Sequence, residues 1–207
     1  LKKSTSQRLQ TSGDIFAVQG YDPTSDLITA GLAEIDRLNT RGDSLRQGLY
    51  LNNSINYTIG NRTNFINFAP SAMHDEQLIP ILMDGKGKAM AVAGKYDDDY
   101  GRYSLFGSNP TYYFEDGLNG SFEAPFKRLI AWLFTGDTAN TAVFSQAKNI
   151  VITRTSTSWG NDTKAWLAAQ MPNATITTCS DATAMSSCLA TADLIILGKI
   201  GDEAAIP

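Results

Sequence analysis

The chain has 207 residues, 43% hydrophobic and 18% charged, enough apolar material for one good core or for one α/β domain with a smaller partner. A net charge of -4 without any basic stripe argues against nucleic acid or an anionic membrane as partner, since both need clustered Lys and Arg. No apolar run reaches the ~18 residues that span a bilayer, and low charge with plentiful Ser, Thr, Asn and Gly suits an exported protein.

The sequence opens on Leu1-Lys2-Lys3-Ser4 with neither an initiator Met nor a signal-peptide pattern, so an internal fragment or a processed product is expected. Residues 1–24 are polar apart from Ile15-Phe16-Ala17-Val18. Ser25 or Asp26 then caps a predicted helix running to about Leu38, with Leu27, Ile28, Leu32, Ile35 and Leu38 at helical spacing. From Asn39 to Asn64, Gly, Asn and Ser punctuate the chain and predict a linker or long loop. The expected division is therefore a small helical and loop region over 1–60 and an α/β domain over 61–207. Arg41-Gly42-Asp43 matches a cell-adhesion tripeptide, but just past the expected helix end its glycine reads as a cap.

The next segment is better organised. Lys88 to Gly94 (KAMAVAG) and Arg102 to Gly107 (RYSLFG) read as hairpin strands joined by the turn KYDDDYG. Asp97, Asp98 and Asp99 in that turn favour local side-chain to backbone hydrogen bonds. Calcium is the competing reading, although the spacing lacks the alternating carboxylates of a calcium loop. After the hairpin, Asn109, Tyr112 and Tyr113 could stack on sugars or contact a protein, against the alternative that the rings plug the core edge. A helix follows, with Ser121 as N-cap, Glu123 in the first turn and Gly136 just past its end. Phe122, Phe126, Leu129, Ile130, Leu133 and Phe134 form its apolar face.

Three short apolar strands come next, Ile150 to Thr153, Ala174 to Thr178 and Leu194 to Leu197, separated by helical patterns at about Asp162 to Gln170 and Asp181 to Ala190. Strands alternating with helices imply parallel pairing and right-handed crossovers. The expected fold is α/β: part of a doubly wound, flavodoxin-like or glutamine-amidotransferase-like sheet, preceded by a β-hairpin plus helix unit and a small N-terminal helical segment. Because the chain stops at Ile206-Pro207, the sheet is expected to be truncated at its C-terminal end.

Few residues offer catalytic chemistry. His74 is the only histidine, so the chain cannot supply the two histidines of an H-E-x-x-H zinc helix, and no G-x-S-x-G elbow exists for a Ser-His-Asp triad. The hydroxyl-rich stretch from Ile152 to Thr163, which includes Trp159, follows a strand and opens a helix, where backbone N–H groups can hold a phosphate or flavin phosphate. It lacks both glycine-rich phosphate fingerprints, and Ser, Thr and Asn serve equally as helix caps. Cys179 and Cys188 are placed for a local disulfide if the first ends a strand and the second lies in the following helix. A redox pair, a metal site and free thiols are the alternatives. Six N-x-[ST] sequons, from Asn52 to Asn173, would accept glycans only in a eukaryotic secretory pathway.

Residues 89–134, AMAVAGKYDDDYGRYSLFGSNPTYYFEDGLNGSFEAPFKRLIAWLF, resemble the accessory N-terminal region of secreted bacterial zinc metalloproteases with enhancin-like catalytic domains. That group includes the immunomodulating metalloprotease and the accessory colonisation factor D proteins, among them a mucin-degrading surface lipoprotein. The same hairpin and helix look like the closing unit of glutamine-amidotransferase-like domains, and the later strands ending in ADLIILG fit that picture. The resemblance implies a secreted or cell-surface bacterial parent, a virulence factor that uses zinc bound outside this segment to cleave mucin-type glycoproteins. It implies no cofactor and no catalytic or metal-binding residue within the chain. The expected partners are other domains of the same polypeptide and mucin-type glycans, with no nucleic acid and no membrane span. Asn109, Tyr112, Tyr113 and Trp159 are the candidate binding residues.

Overall fold

The computed structural model describes residues 26–57, 65–66, 78–95, 101–111, 114, 120–153, 158–179 and 185–197, with some residues of the helices described by backbone alone. The chain forms two compact units, Leu1–Ser54 with Ile59–Ser108 and Ile55–Thr58 with Asn109–Pro207. The helix and the hairpin, on either side of the division expected at residue 60, thus fall within one unit.

In the first unit a long helix, α1 (Asp26–Tyr50), accompanies an antiparallel sheet of β1 (Ile79–Met83), β2 (Ala89–Lys95) and β3 (Arg102–Phe106), in the order β1-β2-β3. The linker expected from Asn39 is helical as far as Tyr50. Leu45 and Leu49 bury themselves one turn apart, and that burial outweighs Gly48 and the polar residues around them. Gly42 is also buried and is no cap; a Cβ there would crowd the Arg46 guanidinium at 3.2–3.3 Å, while Ile79 Cγ2 of β1 lies at an ordinary contact distance of 3.4 Å. Arg46 donates through Nη1 to Pro80 O at 3.1 Å, and the Tyr50 hydroxyl donates to Ile81 O. The tripeptide Arg41-Gly42-Asp43 is therefore a stretch of packed helix whose Asp43 pairs with Arg46 at 2.6 Å.

Strand β1 has no counterpart among the sequence-predicted elements, because Pro80 argues against a ladder position. It is tolerated at the sheet edge, where the register against β2 slips between Pro80 and Leu82. Central strand β2 is buried at six consecutive positions, Ala89 to Gly94, as expected of a strand covered on both faces. It pairs with β3 in unbroken register from Ala91 opposite Phe106 to Lys95 opposite Arg102. The β1–β2 turn is organised by Asp84, whose Oδ1 accepts the N–H groups of Lys86 at 2.9 Å and Lys88 at 2.8 Å. Gly87 follows at φ +82, in the left-handed region that a side chain would resist.

The second unit starts with α2 (Gly120–Thr135), followed by a 3-10 turn at Thr141–Ser145, and continues as β4 (Asn149–Thr153), α3 (Ser158–Gln170), β5 (Thr175–Cys179), α4 (Met185–Leu189) and β6 (Leu194–Leu197). The three strands are parallel in the order β5-β4-β6, as their alternation with helices predicts. Ile150, Val151 and Ile152 of the central strand are buried, and Phe122, Phe126, Leu129 and Ile130 bury the inner face of α2. Each large apolar side chain so buried contributes about 1.5–3 kcal/mol relative to exposure. Gly136 ends α2 as predicted, with φ +80 and its N–H bonded to Trp132 O at 2.7 Å. Ser121 is not the cap expected of it: its hydroxyl donates to Asn56 O at 2.8 Å and accepts from Asn56 N at 3.0 Å, fastening the 55–58 segment to α2. The Tyr57 ring meets Phe122 edge-on at 5.1 Å beside it.

Candidate functional site

The site predicted at Asn109, Tyr112, Tyr113 and Trp159 is described only in part. Tyr112 and Tyr113 lie outside the described residues, as does the Trp159 side chain, whose backbone belongs to the first turn of α3. Asn109 is half-buried and turned toward its own unit. Its Oδ1 accepts the Thr111 N–H at 3.1 Å and the Thr111 hydroxyl at 2.8 Å, a local turn that Asn followed by Pro favours. The Thr111 hydroxyl also lies 2.9 Å from that of Thr163 on α3, and Thr163 reaches Asn109 Oδ1 at 3.4 Å. Thr111 is 3% and Thr163 9% exposed, so this is an internal polar knot pinning the Asn109 loop to α3. Asn109 was legible as a polar group beside aromatics. Thr163 was legible only as the end of the hydroxyl-rich stretch, and a threonine on a helix face announces no partner 52 residues away.

Below the knot the rings of Phe114, Phe126 and Trp166 stack at tilted angles, 5.1–5.8 Å between centroids. Phe114 is buried, so this loop aromatic plugs the core. Two polar bridges close the seam between α2 and α3. Trp166 Nε1 donates to Glu123 Oε1 at 2.8 Å, and Lys127 Nζ donates to Gln170 Oε1 at 2.9 Å while lying 4.7 Å from the Phe144 ring centroid. Glu123, in the first turn of α2 as expected, is also the indole acceptor.

Cys179, the last residue of β5, and Cys188 in α4 form a disulfide with Cα atoms 6.4 Å apart, the placement under which sequence reasoning allowed one. Among the described residues no group of three or more His, Cys, Asp or Glu is placed to hold a metal ion, and no helix is long and apolar enough to cross a membrane. His74, Asp97 to Asp99 and residues 154–157 of the hydroxyl-rich loop lie outside the described residues.

The geometry defines a mixed α/β protein of two units, one antiparallel and one parallel. Residues 45–206, well over half of the chain, match the immunomodulating metalloprotease N-terminal domain, and the chain belongs to that family. The family is the one that the hairpin and helix of residues 89–134 resemble. No curated protein and no solved structure matches the chain.

Proposed function

We propose that the chain is a non-catalytic accessory domain of a secreted bacterial zinc metalloprotease, and that it helps the peptidase domain engage mucin-type glycoproteins. Membership of a metalloprotease N-terminal family carries this reading. This reading puts the zinc elsewhere in the polypeptide, since a chain with a single histidine cannot supply both histidines of an H-E-x-x-H helix. The parallel order β5-β4-β6 supports a doubly wound sheet of flavodoxin or amidotransferase type, used here as a scaffold. Recognition is assigned to the loop that begins at Asn109. The knot holds its first residues on α3, and Tyr112 and Tyr113 follow directly. A rigid base beside a binding loop limits the ordering cost of binding.

The test is kinetic. In the whole metalloprotease, replacing Tyr112 and Tyr113 together by Ala is expected to raise KM for a glycosylated mucin peptide while leaving kcat, and KM for the unglycosylated peptide, unchanged. Unchanged KM for the glycopeptide, with no binding of residues 1–207 to a glycopeptide array, would leave the domain a spacer with no part in recognition.

A further inference from the structure

Among the described residues two strands bound the parallel sheet, and their chemistry differs. On β5 the exposed positions are Thr175, Thr177 and Thr178, whose hydroxyls are at ease in water. β6 is Leu194-Ile195-Ile196-Leu197, apolar throughout, and among the described residues it pairs only with β4. Ile195 is 43% and Leu197 50% exposed. The register places both on one face with Val151 and Thr153, which are buried, and with Cys179. The helix tied to that face by the disulfide, α4, is five residues long, too short to cover it. Natural sheet edges are blunted by charge, Pro or a bulge, whereas a continuous apolar run marks a parallel strand covered on both faces and paired on both sides. By that standard β5 is made as an edge and β6 is not.

Resting on the accessory-domain reading above, we infer that β6 is an interior strand of a larger sheet, and that a strand with a covering helix from elsewhere in the same metalloprotease polypeptide completes it. A second copy of the chain is disfavoured by area. A four-residue edge with two half-exposed side chains falls far short of the ~800 Å² per partner of a stable complex. A segment of the same polypeptide meets no such requirement, because covalent linkage holds it at an effective concentration on the order of millimolar.

Amide exchange measured by mass spectrometry on residues 194–197 tests this in the whole metalloprotease and in the 207-residue chain. Slower exchange in the whole protein is expected, together with a lower melting temperature of the whole protein when Ile195 and Leu197 are both replaced by Lys. In the 207-residue chain the same replacements are expected to leave melting unchanged and to reduce aggregation. Should the Lys variant fail to accumulate, Ile195→Thr with Leu197→Thr, the chemistry of β5, replaces it with the same expected direction. Equal exchange in the two proteins, or melting of the whole protein unaffected by either pair, overturns the inference. So does a concentration-dependent dimer of the 207-residue chain that the Lys replacements abolish. Neither measurement involves substrate, so the accessory reading can fail on glycopeptides while the strand assignment stands.

Discussion

Asp84 is committed to the β1–β2 turn through two backbone hydrogen bonds. Its carboxyl is held below the ordinary 3.8 first by the Lys88 backbone N–H, which outweighs the opposing effect of desolvation, and then by the Lys86 N–H and the two lysine charges. A folded-state value below the unfolded one stabilises the fold above the unfolded pKa, and this is lost as pH falls from 3.8 through the lower folded value. Asp84→Asn keeps an oxygen acceptor for the turn and removes the titration. Urea midpoints followed downward from about pH 5 should fall less steeply for Asp84→Asn than for the natural chain. Parallel curves would mean that the turn does not distinguish the ionised carboxyl from an amide.

At the scale of elements, what the sequence disclosed followed periodicity, and what it concealed followed packing. The helix at Gly120–Thr135 was legible because six apolar residues repeat at helical spacing and Gly136 closes them. The second half of α1 was not, since Gly42, Asp43 and Ser44 carry loop chemistry and become helical through burial of Leu45 and Leu49. Strand β1 was hidden by Pro80, harmless only at an edge. Helix α1 also ends in a costly way. Leu51 takes φ 50 and Asn52 φ 62, with the Leu51 N–H bonded to Gln47 O at 2.7 Å. Asn tolerates this region, whereas for Leu it costs roughly 1–2 kcal/mol, and the side chain recovers little because it is 52% exposed. Leu51→Gly should therefore stabilise the first unit by about 0.5–1 kcal/mol after the entropy that glycine adds to the unfolded chain. Chemical denaturation followed by circular dichroism reads this directly. A destabilised variant would show that Leu51 makes contacts worth more than its backbone strain.

For the whole molecule, the alternation of strands and helices disclosed the parallel sheet but not the interleaving of two units, because residues 55–58 join the second unit through backbone bonds to Ser121 and the ring of Tyr57. No periodicity encodes a four-residue visit of that kind. Each unit buries its own apolar set, Leu45, Leu49, Ile81 and Val92 in one and Phe122, Leu129, Ile150 and Leu167 in the other, so each has the means to unfold as its own cooperative step. The chain carries a built-in probe of this. Its three tryptophans, Trp132, Trp159 and Trp166, all belong to the second unit, so fluorescence reports that unit while far-ultraviolet circular dichroism reports both. The disulfide belongs to the second unit as well, and closing a loop across a separation of nine residues stabilises by about 2–3 kcal/mol in the chain-entropy account. Reduction, or replacement of Cys179 and Cys188 by Ser, should lower the unfolding free energy read from the fluorescence-detected transition by that amount. It should leave untouched the part of the dichroism transition that Leu51→Gly raises. If reduction shifts both signals together, the units unfold as one, and the structural division of the chain has no thermodynamic counterpart.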